Sequence, residues 1–183
     1  MTVYTCEECG FEFDLARAEA VGPLMLEEIH DVSTILREGD AVALRRRPDP
    51  DTWSAHEYGC HLRDVLLVQR ERVLLARRED VPVVGAMGRD ERVEHDGYDE
   101  QMTLDVARQL DDAASLFAHV LSLLEGDAWE RTMIYSYPER MERSLRWVAV
   151  HTLHEARHHK RDMSGSSGYQ PSGRSNKKGS TFR

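Results

Sequence analysis

Residues 145–163 read LRWVAVHTLHEARHHKRDM, and the phase of this stretch decides the fold. Trp147, Val150, His151, His154 and His158 recur at intervals of three and four, the spacing that stacks side chains on one face of an α-helix. His159 is turned about 100 degrees from His158, as successive helical residues are. Four of the nine histidines therefore lie within nine residues of one predicted helix, three of them on a face that begins as core.

The same periodicity governs the rest of the chain. Leu24, Leu26, Ile29, Val32 and Ile35 form an apolar stripe on a first helix, predicted from Asp14 or Pro23 to Arg37 and ended by Gly39. After the turn-rich RRRPDPDTW, Ser54 and Glu57 form a capping-box pattern that opens a second helix running to Arg78. A third, from Leu104 to Leu124, carries Val106, Leu110, Ala113, Leu116, Phe117, Val120 and Leu123 and is closed by Gly126. Between the second and third, residues 79–102 hold Pro82, Gly85, Gly88 and Gly97, so they read as a long crossover loop. Short β-rich pieces occur at Val81–Val84 and Met133–Tyr137, with almost no alternating pattern elsewhere. The expected fold is all-α, a four-helix bundle over residues 21–163, with a segment 1–20 before it and a structureless tail at 164–183.

Composition narrows the function classes. With 33 acidic and 24 basic residues the net charge is −9, which disfavours nucleic acid and anionic lipid as partners of the folded body. The tail holds four basic residues and no acidic ones among Ser and Gly, too little apolar surface to offset ordering. No run of 18 apolar residues and no secretory signal is visible, so the expectation is a cytoplasmic protein with no membrane contact. A small-molecule substrate is the expected partner, and a homodimer is compatible with a bundle of this type.

The histidines point to a metal. Imidazoles at i and i+4 can clamp one divalent ion, and His154 and His158 have that spacing. In WSAHEYGCHLRDVL (53–66), His61 shares the stripe of Tyr58, Leu62, Val65 and Leu66 and so faces the core, whereas His56 in the first turn reads as solvated. The competing reading makes His61 an ordinary core histidine and the cluster a half-exposed face. Cys6 and Cys9 in TCEECGF surround a turn shaped like a zinc-ribbon knuckle, but the chain has no second C-x-x-C. Three readings stay open: half of a zinc site completed by another chain or by histidine, a redox dithiol, or free thiols. Cys60 reads as a small buried filler.

The segments 53–66 and 145–163 together resemble the two motif helices of the DinB-like superfamily, in particular an actinobacterial branch with HxRDV and HxxxHHxxD signatures, and the order of elements from Leu24 to Met163 agrees. The resemblance implies a four-helix bundle holding a divalent ion, zinc or nickel, on three histidines: His61, with His154 and His158. Many relatives read H-x-x-H-H followed by Gly-Gln, so His159 and His151 are alternates. It further implies a metal-dependent transferase or hydrolase, relatives using low-molecular-weight thiols such as mycothiol or bacillithiol as co-substrate, with the ion lowering the pKa of a bound thiol or water. Asp64, three residues after His61, is the candidate base or imidazole orienter, set against a solvated pair with Arg63 or Arg70; Glu155 and Asp162 carry the same two readings. The non-enzymatic alternative is a bundle whose ion is structural.

Overall fold

The computed structural model describes residues 4–136 and 139–166. Four long helices build the bundle: α1 (Val21–Glu38), α3 (Ala55–Arg78), α5 (Thr103–Ser122) and α6 (Leu145–Ser166), with α2 (Ala41–Arg45) and α4 (Arg89–His95) as short additions. α5 and α6 each pack against both α1 and α3, so the helices stand around the bundle in the order α1, α5, α3, α6. The first and third connections thus cross a diagonal, while the long second one joins neighbours.

Each long helix follows from local sequence. Ser54 Oγ accepts from Glu57 N at 3.2 Å and Glu57 returns a carboxylate oxygen to Ser54 N at 2.7 Å, the capping box expected from the sequence. Arg47 grips the same carboxylate, its Nε 2.9 and 3.0 Å from the two oxygens, and so ties the entry of α3 to the chain before it. Asp14 caps a 3-10 turn, Leu15–Ala20, that leads into α1. The buried face of α1 is Met25, Ile29, Val32, Ile35 and Leu36, whereas Leu26, expected in the stripe, is 42% exposed; on α5, Leu116 and Leu123 likewise face outward. Phe117 is wholly buried among the four helices, a position where truncation to Ala costs about 3–5 kcal/mol. Gly39 ends α1 at φ −73°, so it is not a left-handed cap. It is needed for closeness: a Cβ there would stand 2.8 Å from the Ile35 carbonyl and 2.9 Å from Leu44.

The connections hold more structure than their composition suggested. Residues 79–102 contain α4 and a 3-10 turn at Tyr98–Glu100. The two β-rich pieces meet: Val84 N donates to Ile134 O at 3.0 Å and Ile134 N to Pro82 O at 2.9 Å, beside a hairpin of β3 (Thr132–Tyr135) and β4 (Met141–Ser144). At the N-terminus β1 (Tyr4–Thr5) pairs with β2 (Glu12–Phe13) around the cysteines, and this hairpin and the 3-10 turn after it lie against α6. The expected tail begins inside α6, which continues through Ser166; the remainder lies outside the described residues. No helix among the described residues is long and apolar enough to cross a membrane.

Candidate metal centre

The HExxHH run of α6 carries two i, i+4 pairs, not one. His154 and His158 form the first; Glu155 and His159, advanced by one residue and hence by about 100 degrees, form the second. The bundle places these adjacent faces in different surroundings. His61, Glu155 and His159 bring one ligand atom each within 4.8 Å of one another, and Cys6, Cys9, His154 and His158 do the same. The structure therefore does not gather the expected set of His61 with His154 and His158. His61, rooted on α3, meets the face of α6 that holds Glu155 and the alternate His159, because α3 and the N-terminal hairpin approach α6 from different sides.

His61 is buried, and neither ring nitrogen makes a hydrogen bond. A buried polar group without a partner costs about 1–3 kcal/mol, so a side chain kept in this state is matched to a ligand. Burial pushes its imidazole down to about 3, leaving the neutral form that ligates metals. Its ring stands edge-on to Trp53 at 5.1 Å and to His159 at 5.2 Å between centroids. His159 Nδ1 lies 3.0 Å from Asp162, and its Nε2 lies 3.6 Å from Glu155 Oε2. An imidazole held by a carboxylate through one nitrogen while the other faces a common centre is the arrangement of metal-ligating histidines. Burial alone would favour a neutral Glu155, but His154 and His159, with His151, hold it well below the usual carboxylate range. These residues fit a divalent ion: two imidazoles and a carboxylate are a known catalytic zinc set. Glu155 as a candidate ligand is absent from the sequence expectation, although E-x-x-x-H has the clamp spacing as much as H-x-x-x-H does.

The other face closes on the cysteines. Cys6 Sγ is 3.9 Å from His158 Nδ1, and His158 Nε2 lies 3.2 Å from Glu8. Both nitrogens of His154 are buried without a hydrogen bond, Nδ1 lying 3.4 Å from Glu155 Oε1 of the neighbouring group, while Phe11 and Phe13 pack on its ring at 5.4 and 4.8 Å. The knuckle turn is set by backbone: Cys6 N donates to Phe11 O at 2.9 Å, Gly10 N donates to Cys6 O at 2.8 Å, and Gly10 supplies the positive φ of 73°. The Cys6 thiol is lowered to about 6, chiefly by the backbone amide of Cys9.

A cleft opens onto His61 and Glu155 of the first group. His61, Gln69 and Arg72 of α3 line it together with His151 and Glu155 of α6 and Tyr135 of β3, and residues 86–89 of the long connection border it. His151 stacks on Trp147 at 4.4 Å, and burial lowers it to about 4. Arg72 is buried with no carboxylate in ion-pair reach among the described residues. It donates to the Tyr135 hydroxyl at 2.8 Å, to Gln69 Oε1 at 3.2 Å and to the Gly85 carbonyl.

Asp64 stands in the second of its two expected places, paired with Arg63, though buried, and His56 departs from its expected exposure. Asp64 lies outside the metal groups: its carboxylate takes Arg63 at 2.8 Å, Arg92 at 3.1 Å and the Tyr98 hydroxyl at 2.9 Å, which pins the long connection to α3. His56 is buried, not solvated, because the segment 98–103 folds over it; its Nε2 lies 2.8 Å from Tyr98 O and its Nδ1 3.2 Å from Thr103 Oγ1. Cys60 is the expected buried filler, its thiol pushed up to about 12 by burial.

Comparison with known proteins agrees with this architecture. No curated protein matches the chain. The solved structure of YfiT from Bacillus subtilis, described as a probable metal-dependent hydrolase with an unusual four-helix bundle topology, superposes with a TM-score of 0.74 at 13% identity, covering 93% of this chain and 97% of that one. A family model described as the DinB superfamily matches residues 26–163, nearly the whole of the bundle, and the chain belongs to that superfamily.

Proposed function

We propose that the protein is a metal-dependent enzyme that activates a small nucleophile, water or a low-molecular-weight thiol, against an anionic electrophile held in the cleft. The observation that carries this reading is His61: a buried imidazole with two unbonded nitrogens, grouped with Glu155 and His159 beside a cleft that His61 and Glu155 line. His61, Glu155 and His159 would hold the ion, leaving the cleft side for the nucleophile. A divalent ion so bound supplies Lewis acidity and a nucleophile at neutral pH. Asp162 orients His159 through Nδ1, and Trp53 and Tyr58 exclude water from the side away from the cleft, Tyr58 lying 5.0 Å from the His159 ring. His151 lines the cleft one helical turn before Glu155, beside the place the nucleophile occupies. Arg72 presents the cleft's buried cation and so selects a substrate bearing a carboxylate, phosphate or sulfonate group.

A purely structural ion would be closed off by four protein ligands, whereas this group has three and a cleft. The experiment is elemental analysis with an activity screen on wild type, His61→Ala and Glu155→Gln, pairing thiols, and water alone, with anionic and neutral electrophiles. The reading expects metal and turnover lost together in both variants. Turnover retained in a variant stripped of this ion would overturn it.

A further inference from the structure

We infer that Cys6, Cys9, His154 and His158 hold a second ion, a structural zinc that staples the N-terminal hairpin onto α6. Four side chains of the types found in closed zinc sites converge with one donor atom each within 4.8 Å of the others. Zinc–sulfur and zinc–nitrogen bond lengths place tetrahedral donors about 3.3–3.8 Å apart, and Cys6 Sγ already stands 3.9 Å from His158 Nδ1. Two further observations are independent of that convergence. Both ring nitrogens of His154 are buried and make no hydrogen bond, with Glu155 Oε1 standing 3.4 Å from Nδ1. His158 has its second nitrogen 3.2 Å from the Glu8 carboxylate, the outer contact that fixes a ligating imidazole.

Binding forms two zinc–sulfur and two zinc–nitrogen bonds, and the two thiol protons leave to solvent. No oxidant is involved, which separates this role from a dithiol switch. The site joins Cys6 to His158 and so encloses α1, α3 and α5 in one loop. It also fixes the rotation of the helix whose next face carries Glu155 and His159. Arg161, donating to the Glu8 carbonyl, and Arg157, over the Phe11 ring at 5.6 Å, bind the hairpin to the same helix. The inference stands whether or not the cleft is catalytic.

The test uses the full chain, produced in medium where cobalt replaces zinc and purified with reductant. Thiolate ligation gives an intense thiolate-to-cobalt charge-transfer absorption that a site of imidazoles and carboxylate lacks. Wild type is expected to show it with two ions per chain; Cys6→Ser/Cys9→Ser loses the band and one ion, while His61→Ala keeps the band. A wild-type protein without the band, a band that survives the double substitution, or a denatured mass lighter by two hydrogens, which reports a disulfide, overturns the inference. If the double variant fails to fold, the wild-type spectrum still decides. Loss of metal in His61→Ala with the band intact separates this site from the one in the cleft.

Discussion

Asp162 and His159, three residues apart on α6, meet at 3.0 Å between a carboxylate oxygen and Nδ1, and that contact turns the other ring nitrogen toward Glu155 and His61. The bond fixes the tautomer and the rotamer of the histidine at once. Removing a carboxylate in this position from ligating histidines weakens metal binding by about ten- to a hundredfold. Asp162→Asn is expected to lower affinity for the cleft ion by that factor with an unchanged fold, measured by competition against a chelator of known affinity. An unchanged affinity would mean that His159 is not a ligand.

The bundle itself was legible in the sequence because its signal is local: helical spacing, the Ser54–Glu57 capping box and the long break at 79–102 are each readable within a few residues. The stripe of α1 holds at Ile29, Val32 and Ile35 and differs at its start, with Met25 and not Leu26 inside, because spacing defines a face only to within one residue. The ligand sets were less legible for a physical reason. Spacing along α6 offers 154 with 158 and 155 with 159 equally, and the choice belongs to whichever element packs on each face. That packing is long-range, the hairpin of residues 4–13 on one side and α3 on the other. The burial of Asp64 and of His56 was hidden for a related reason, since nothing near them in sequence reveals that residues 92–103 fold back over both.

His56 makes stability depend on pH in a defined direction. Burial is the largest influence on it and lowers its pKa below 6.5, while the contact with the Tyr98 carbonyl works the other way. Above pH 6.5 folded and unfolded chains both hold the neutral ring, and its stabilising contribution is complete. As pH falls below 6.5 the unfolded chain takes up the proton first, so this contribution is lost until the folded value is passed. His56→Gln is expected to flatten the fall of Tm between about pH 6.5 and 5, the window that opens at the ordinary histidine value. A parallel fall in both proteins would assign that slope to other groups.

Two glycines give opposite outcomes on substitution by alanine. At Gly22, in the first turn of α1 and before Pro23, a Cβ would meet Ala118 at 3.6–3.7 Å, an ordinary contact, and alanine there gains at most about 0.5 kcal/mol, the helix propensity being offset by the proline ring that follows. At Gly39 the Cβ would press on the Ile35 carbonyl and on Leu44, costing about 1–3 kcal/mol as overpacking does. Thermal unfolding of Gly22→Ala and Gly39→Ala checks both signs, and a stabilised Gly39→Ala would contradict the tight approach of α2 to the end of α1.

Arg72 lets substrate charge be read from kinetics. Its guanidinium is buried at the cleft, and its neighbours Tyr135 and Gln69 offer neutral acceptors only, so the cation is held in place without being neutralised. An anionic group entering the cleft supplies the missing charge, and a hydrogen bond to a charged partner is worth about 1.5–3 kcal/mol. Arg72→Met keeps the stem that packs against the wall and removes that interaction. For a substrate of the proposed class KM should therefore rise about ten- to a hundredfold, with kcat altered far less because Arg72 does not belong to the His61 group. A neutral substrate of the same shape should lose nothing. Equal losses for both would show that Arg72 only supports the cleft wall through Gly85 and Tyr135, and a lower kcat at constant KM would place it beside the reacting atoms instead.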